Sequence, residues 1–431
     1  MEPLRLLHFA DLHLGVETGG RTNPSSGLNQ RVHDVCARLD ELCETVADEK
    51  VHAVLFAGDA FMNPRPSPTL QKLFAEGVRR LVRSGASVFL LVGNHDLPKM
   101  AGIAHPHAIY PALEVEGVVV GERAEVYRLA LGPDAPVSHL QVAALPHFSR
   151  SEVVARLEAD EDPARFIQER VAERVGTLGR SIDPSLPSVF VGHCHVNQAD
   201  IGSAQTLFGI SDVEVPLSTL TSGQPFPYYA LGHVHRCQVL QDDPFVAYSG
   251  SLERVDYGEG ERIDASASAP VSIRDAEAKG FFRFDLVAPN GEWTIASEPR
   301  FRPVSARRFV TIRLGPIDAS DPATDVQERL RLVRAAGADL TDAFVRVTAT
   351  IDAADRSRVT NSSLRSLVPE SYDVRLALET QESTLVRDPR FAQRMTELDA
   401  LERFVGSKSD WSDDHDELLR LGRELVAEVL D

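Results

Sequence analysis

The stretch Leu90-Leu91-Val92-Gly93-Asn94-His95-Asp96 joins an apolar run to a glycine and three polar side chains. The run begins at Ser87 and has the pattern of a buried strand, because strands covered on both faces of a parallel sheet are continuous apolar segments. Ligands of such sheets bind beyond the carboxyl ends of the strands. The stretch therefore predicts an α/β fold with functional side chains at one edge of the sheet.

Four other apolar runs end in the same way. The segments that follow them are Asp11-Leu12-His13, Gly58-Asp59, Gly192-His193 and Gly232-His233-Val234-His235. In Asp-x-His and His-x-His, the two-residue period of a strand would place both side chains on one face. We interpret the common edge of these five strands as a metal site. Its predicted ligands are Asp11, His13, Asp59, Asn94, His193, His233 and His235.

The ligand types narrow the choice of metal. Mixed oxygen and nitrogen ligands suit Mn²⁺, Fe²⁺ or Zn²⁺ better than Mg²⁺. The carboxylate of Asp59 has two oxygens and could bridge two cations, an arrangement that supports phosphoryl displacement. Other candidate side chains near the motifs are assigned lesser roles: His195 lies at the rim, Cys194 and Cys237 are packing residues, and His8 is a core histidine.

The chain divides into three regions. Residues 1–298 alternate strand and helix patterns and form the α/β layered domain, with an unperiodic segment, Ile263 to Glu277, predicted to be a mobile surface insertion. Residues 299–387 have a βαβαβ pattern, which predicts a small α+β domain. Residues 388–431 contain two amphipathic stripes that predict C-terminal helices.

The amino-acid composition indicates which partners the protein could bind and in which cellular compartment it would function. The net charge of −19 argues against a generally basic nucleic-acid-binding surface. No stretch approaches the ~18 apolar residues of a membrane span. The four cysteines have no paired spacing, which favours reduced thiols and a cytoplasmic protein.

The segment from Pro299 to Arg313 is basic, in contrast to the net negative charge of the whole chain. Arg300, Arg302, Arg307, Arg308 and Arg313 occur there without an intervening acid. Two interpretations stay open: a solvated linker between domains, or a contact to DNA phosphates, for which arginine is well suited.

In order and spacing, the five motifs resemble the calcineurin-like metallophosphoesterase signature. Longer sequence segments around the motifs resemble the SbcD-type DNA double-strand-break repair nucleases. These segments are His8 to Gly15, Arg65-Pro66-Ser67-Pro68 and Ser249 to Arg254. The resemblance implies the layered metallophosphoesterase sheet domain, a DNA-capping domain and a C-terminal region that binds an ATPase. This sequence departs from the family pattern at Met62, a position where members of the family often have an aspartate or histidine.

The resemblance also implies roles for individual residues. One metal would be held by Asp11, His13, Asp59 and His235, and the second by Asp59, Asn94, His193 and His233. His95 would stabilise the transition state or protonate the leaving oxygen, and Asp96 would orient it. Such nucleases use two divalent ions, chiefly Mn²⁺. They act on duplex ends and single strands as a homodimer within a heterotetramer with a coiled-coil, SMC-like ATPase of the SbcC type.

Three function classes remain at this stage. The first is a DNA exonuclease and endonuclease subunit that acts in repair. The second is a phosphodiesterase or phosphatase that uses the same site on another substrate, which fits the acidic charge. The third is a DNA-end scaffold whose metal site is structural. This class is disfavoured, because His95, a histidine beyond the ligand set, would have no purpose in a structural metal site.

Overall fold

The computed structural model describes residues 2–98, 102–148, 163–202, 213–266, 270–318, 320–381 and 419–421. The strands are β1 Leu4–Phe9, β2 Ala53–Phe56, β3 Ser87–Leu91, β4 Val118–Gly121, β5 Val126–Ala130, β6 His139–Leu145, β7 Ser188–His193, β8 His195–Val196, β9 Glu214–Val215, β10 Tyr228–Gly232, β11 Gln238–Asp242, β12 Phe245–Tyr248, β13 Glu261–Asp264, β14 Ser272–Arg274, β15 Gly280–Val287, β16 Thr294–Ile295, β17 Arg300–Pro303, β18 Phe309–Pro316, β19 Phe344–Asp352 and β20 Asp373–Gln381. The α-helices are α1 Gln30–Asp48, α2 Pro68–Arg83, α3 Ile109–Ala112, α4 Pro163–Arg180, α5 Leu217–Thr221, α6 Pro322–Ala335 and α7 Asn361–Leu367.

Two sheets packed face to face form the first domain. One has the order β16-β15-β1-β2-β3-β4, with β17 also paired to β15, and the other has the order β11-β12-β10-β7-β6-β5. The strands that precede the five motifs pair in parallel, β1 with β2 and β2 with β3 in one sheet, and β7 with β10 in the other. Their carboxyl ends therefore lie at the same edge of the sandwich.

Alternate residues of each strand enter different cores, which explains the continuous apolar runs. In β3, Phe89 and Leu91 pack between the two sheets, whereas Val88 and Leu90 pack against α1 and α2. The second sheet uses α4 and α5 on its outer face in the same way. The layers are thus helix, sheet, sheet, helix, and the predicted α/β class is confirmed.

Helix α1 shows how local sequence places the layers. The side chain of Asn29 caps it by accepting a hydrogen bond from the amide of Arg31, and Val35, Leu42 and Val46 are almost fully buried. The apolar side of this helix therefore packs on β1 to β3.

A third sheet, of order β14-β13-β18-β19-β20, forms the second domain. Strands β18, β19 and β20 pair in parallel and are connected through α6 and α7, so the predicted βαβαβ pattern is confirmed. Helix residues Val326, Leu330 and Leu364 pack with apolar strand residues in its core.

The prediction of a mobile insertion at Ile263 to Glu277 is wrong over its described residues. Strand β13 pairs in parallel with β18, and β14 pairs antiparallel with β13, so both belong to the sheet of the second domain. Ile263 is fully buried while Arg262 and Asp264 are on the opposite face. Ile263 and Ala265 face the core at alternate positions, a run too short to stand out as an apolar pattern in the sequence.

The arginine run is ion-paired, and one of its members, Arg307, joins the two domains. Arg307 contacts Asp34 of α1 and Asp342 of the second domain, both at 2.8 Å. Arg308 pairs with Glu261, and Arg302 with Glu49. These ion pairs hold the run against the body of the protein, and a contact of its arginines with DNA phosphates remains a prediction.

The predicted C-terminal helices lie outside the described residues, apart from 419–421, which are helical. Across the part of the chain that the structure describes, no helix is long and apolar enough to cross a membrane. The four cysteines are all described, and each is a free thiol, as predicted.

Candidate metal centre

The predicted ligands meet at the carboxyl edge of the two sheets. Nε2 of His13 lies 2.9 Å from Nε2 of His235 and 3.7 Å from Oδ2 of Asp59. Asp11 completes this set with a carboxylate oxygen 4.0 Å from Nε2 of His13. Four ligand atoms are thus grouped around one point.

A second set shares Asp59 with the first. Nε2 of His193 lies 3.4 Å from Oδ2 of Asp59 and 2.9 Å from Oδ1 of Asn94. Nδ1 of His233 lies 3.1 Å from the same Asn94 oxygen. All seven predicted ligands are therefore brought together, with Asp59 between the two sets.

The backbone achieves this convergence by turning, not by strand periodicity. β1 ends at Phe9 and β10 at Gly232, before the ligands begin. Asp11, His13, Asp59 and His233 all have positive φ angles, between 45° and 99°. The prediction that a two-residue period aligns these side chains is therefore wrong. Left-handed turns beyond the strand ends aim them inward, at a conformational cost that the surrounding structure must offset.

Buried opposite charges balance one another across the two sets. Burial alone would raise the pKa of Asp59, but the charge and hydrogen bond of His193 hold it well below its usual range. Burial would likewise lower the pKa of His193, yet Asp59 raises it to about 9. For His13, burial and the neighbouring His235 lower the pKa well below its usual value. The centre thus combines carboxylates with imidazoles, and the charge of the imidazoles depends on which cations the centre holds.

The hydrogen bonds of the histidines fit metal ligation. Nδ1 of His193 donates to the carbonyl of Ala57 at 2.7 Å, and Nδ1 of His235 donates to Oε1 of Glu259 at 2.9 Å. Metal-binding histidines commonly donate their second ring N–H to a carbonyl or carboxylate, which fixes the tautomer and frees the other nitrogen. In both residues Nε2 is the nitrogen that points into the cluster. The residues present therefore fit a pair of divalent cations.

Asp96 supports the turns instead of orienting His95. Its fully buried carboxylate accepts hydrogen bonds from the amides of Gly93, Asp59, Ala60 and Phe61 at 3.0–3.3 Å. The ring of His95 is oriented by the carbonyl of Met62, 2.9 Å from its Nδ1. The predicted pairing of Asp96 with His95 is therefore wrong, because the Asp96 oxygens are used to hold the loop of the bridging ligand.

His95 lines an open cleft of about 220 Å³. Its ring centroid is 4.9 Å from that of His13, and its nitrogen is close enough to His13 and Asp59 to join their ligand atoms within 4.8 Å. Thr18 and Asp256 also line this cleft. A phosphate group in the cleft would meet His95 and both ligand sets together.

Two supporting residues were not found from the sequence. Glu259, 1% exposed, accepts from His235 and also pairs with the buried amine of Lys279 at 2.7 Å. Burial would raise the pKa of Glu259, but Lys279 and His235 hold it far below its usual value. Neither residue is in a motif, so no local signal in this single sequence indicates them.

The structure also shows the surroundings of the residues near the motifs that were not predicted to bind metal. His8 is fully buried, with Nδ1 3.0 Å from the Tyr228 hydroxyl and Nε2 3.2 Å from the carbonyl of Leu231, as predicted for a core histidine. Cys194 packs in the core of the second sheet, and burial raises the pKa of its thiol to about 12. The ring of His195 lies 6.4 Å from that of His233, outside both ligand sets.

The chain thus has a two-sheet sandwich in which the predicted metal ligands meet around a shared aspartate, the arrangement expected of the phosphoesterases that the motifs resemble. The chain belongs to the calcineurin-like phosphoesterase family, whose pattern matches residues 4–237.

Within this family, the chain is similar to proteins named as DNA-repair nucleases. The chain is 30% identical to the SbcD subunit of nuclease SbcCD from Bacillus subtilis over 290 residues, which cover 64% of this chain and 66% of that protein. It is 27% identical to the DNA double-strand break repair protein Mre11 of Aeropyrum pernix, over 62% of this chain and 59% of that protein. For the SbcD subunit of nuclease SbcCD from Escherichia coli K12 the identity is 26%, over 58% and 60% of the two chains. The predicted resemblance is confirmed, and the matches span less than two thirds of each relative's length.

Proposed function

We propose that this protein is a metal-dependent DNA nuclease, a phosphodiesterase subunit that processes double-strand ends in repair. The observation that carries the proposal is the pair of ligand sets that share Asp59 beneath an open cleft containing His95. The names of the relatives, nucleases and break-repair proteins, support DNA as the substrate.

The first set, Asp11, His13, Asp59 and His235, would hold one divalent cation, and Asp59, Asn94, His193 and His233 would hold the second. We propose Mn²⁺ for both, with Mg²⁺, Fe²⁺ or Zn²⁺ as alternatives that the ligand types also permit. Bound there, such ions supply Lewis acidity for the scissile phosphate and lower the pKa of water.

The protein's own groups position the substrate and move a proton. The carbonyl of Met62, 2.9 Å from Nδ1 of His95, orients the imidazole ring, and Nε2 would exchange a proton with the departing oxygen. The amide of His95 donates to Oδ1 of Asp59, so the histidine and the shared ligand keep a fixed relation. The proposed acid is therefore held by the same loop that holds the ligands.

A phosphodiesterase acting on small or protein substrates would use the same centre. The experiment compares Mn²⁺-dependent cleavage of labelled duplex and single-stranded DNA with hydrolysis of bis-p-nitrophenyl phosphate by the same preparation. Asp59→Asn and added EDTA serve as inactive controls. We expect cleavage of DNA; hydrolysis of the reporter with intact DNA would favour the alternative, and binding without hydrolysis of either would favour the scaffold.

The proposal includes a partner. We propose that a homodimer of this chain assembles with a coiled-coil, SMC-like ATPase and that residues 388–431 bind it in the cytoplasm. Deleting residues 388–431 should leave metal-dependent cleavage of single strands and abolish ATP-stimulated cleavage of duplex ends. Continued co-purification of the shortened chain with the ATPase would contradict this assignment.

A further inference from the structure

A lysine side chain is buried next to the metal ligand His235. None of the surface of the Lys279 side chain is exposed, and lysine is seldom fully buried unless its charge is paired. Its Nζ lies 2.7 Å from Oε2 of Glu259, and it donates to the main-chain carbonyl of His235 and to Oγ of Ser251, both at 2.9 Å. An ammonium group has three N–H donors, so these partners use its full donor capacity. The amine is therefore held in place by three buried groups.

The three partners of this amine connect it to the first ligand set. Oε1 of Glu259 lies 2.9 Å from Nδ1 of the His235 ring, so one carboxylate contacts both the lysine and the ligand. The carbonyl of His235 also accepts from the amide of Ser251 at 3.0 Å. Ser251 in turn forms a parallel bridge with Ala10, the residue before the ligand Asp11. The lysine therefore supports His235 at its ring and at its main chain, and through Ser251 it adjoins the segment that carries Asp11.

Strand pairing sets the position of Lys279 independently of the ligand loops. The residue directly precedes β15, where the chain returns from β14 of the second domain to the first sheet. Its carbonyl accepts from the amide of Val304 at 2.8 Å, and the amide of nearby Glu277 donates to the carbonyl of Glu259 at 3.1 Å. The lysine is therefore anchored in the β-structure, and its side chain reaches from there to the main chain of His235.

The charge of Lys279 has no direct use in the cleft. With no exposed surface, its amine cannot contact a phosphate group there. An unpaired positive charge beside a divalent cation would weaken cation binding, because like charges repel more strongly in a buried environment than in water. The carboxylate of Glu259 neutralises the amine and at the same time contacts His235. The arrangement therefore favours a role in holding the ligand over a role in attracting the substrate.

We propose that Lys279 is a positioning residue of the metal centre, which keeps His235 in the orientation that binds a divalent cation. The inference rests on the metal centre of the proposed function, and it adds a residue that lies outside the five motifs. Partners that orient a metal ligand from outside typically contribute about 10–100-fold in metal affinity. Nδ1 of His193, in the second set, contacts the carbonyl of Ala57 instead, so the effect of Lys279 should be confined to the first set.

The test compares variants of the full-length protein by calorimetric titration of the metal-free form with Mn²⁺. Lys279→Met removes the amine and keeps an unbranched side chain. Because this change leaves the carboxylate of Glu259 buried without its cation, a double variant with Glu259→Gln removes both charges together, and Glu259→Gln alone completes the comparison. Lys72→Met makes the same change in net charge at an exposed position of α2 and is the matched control. The urea midpoint of each metal-free variant shows whether it is folded.

We expect Lys279→Met and the double variant to bind one Mn²⁺ ion about 10–100-fold more weakly and the other with unchanged affinity. The double variant should not show the product of the two single effects, because both changes act on His235 through one ion pair. Lys72→Met should bind both ions as the unchanged protein does. Unchanged or tighter binding by a folded Lys279→Met protein would overturn the proposal. If that variant does not fold, unchanged binding by the folded double variant would overturn it equally.

A second measurement separates positioning of the ligand from contact with the substrate. For the Lys279→Met protein, the Mn²⁺ concentration that gives half-maximal cleavage of labelled single-stranded DNA should rise by the same factor of about 10–100. The KM for DNA and the kcat at saturating Mn²⁺ should stay unchanged. A lower kcat that excess Mn²⁺ does not restore, together with unchanged metal binding, would overturn the proposal. Absence of DNA cleavage by an unchanged protein that binds both ions would refute the proposed function alone, because the calorimetry still decides the role of Lys279.

Discussion

Oδ1 of Asp59 accepts a hydrogen bond of 2.9 Å from the main-chain N–H of His95. The other oxygen, Oδ2, lies 3.4 Å from Nε2 of His193 and 3.7 Å from Nε2 of His13. One carboxylate therefore connects both ligand sets and the proposed acid. A change at Asp59 should affect all three.

Asp59→Asn should lose both metals while the fold is retained. The amide keeps an acceptor for the His95 N–H but removes the negative charge that the two sets share. We expect manganese per chain, measured by elemental analysis after dialysis, to fall from two to below one, with loss of hydrolysis. Two ions retained by a folded variant would contradict the shared-ligand assignment.

His95→Ala should keep both metals and lose about 10²–10⁴-fold in turnover, the usual contribution of a general acid. His139→Ala is the matched control, because His139 begins β6 at the opposite edge of the sandwich. Single-turnover cleavage and metal content are measured together. Loss of a metal ion from the His95 variant would show that this histidine is a ligand.

Asp96→Asn should destabilise the protein, because an amide NH₂ would face main-chain N–H groups that now donate to a buried carboxylate. Removing acceptors of this kind typically costs about 2–4 kcal/mol. Urea denaturation of the metal-free protein measures the loss, with exposed Asp134→Asn expected to stay within about 0.5 kcal/mol. An unchanged unfolding midpoint would argue against the supporting role of Asp96.

Glu259→Gln should weaken the metal set that contains His235 more than the set that contains His193. The carboxylate accepts from Nδ1 of His235 and neutralises buried Lys279, whereas His193 uses the carbonyl of Ala57. Outer partners of this kind typically contribute 10–100-fold in metal affinity. Calorimetric titration with Mn²⁺ resolves the two binding steps, and equal weakening of both would contradict the expectation.

His8 should make the protein more sensitive to acid. Burial lowers its pKa to about 3, against 6.5 in an unfolded chain, although the carbonyl of Leu231 partly opposes the shift. Between these values the unfolded chain binds the extra proton, so stability is complete above pH 6.5 and falls as the pH drops toward 3. The loss approaches about 1.4 kcal/mol per pH unit within the window. Denaturation of His8→Asn at pH 7, 5.5 and 4 should show a shallower decline than the unchanged protein; parallel declines would exclude this role.

Much of the centre could be predicted because its chemistry is local in the sequence. Each ligand follows an apolar run within a few residues, so the seven side chains and the sheet edge were identifiable together. The support of the site was not predictable in the same way. Asp96 bonds to amides 35–37 residues away, and Glu259 reaches Lys279 across two strands.

Strands β13 and β14 belong to the second domain's sheet but precede β15, which pairs with β1 in the first sheet. The chain therefore leaves the first domain, contributes two strands to the second, and returns to complete the sheet where it began. Neither domain can be finished from a continuous stretch of chain, so cutting at residue 299 would leave β13 without its parallel partner β18. Synthesis from the amino terminus cannot complete the first domain before the second has begun. We expect the two to unfold in one cooperative transition, with a single heat-absorption peak in which calorimetric and van't Hoff enthalpies agree.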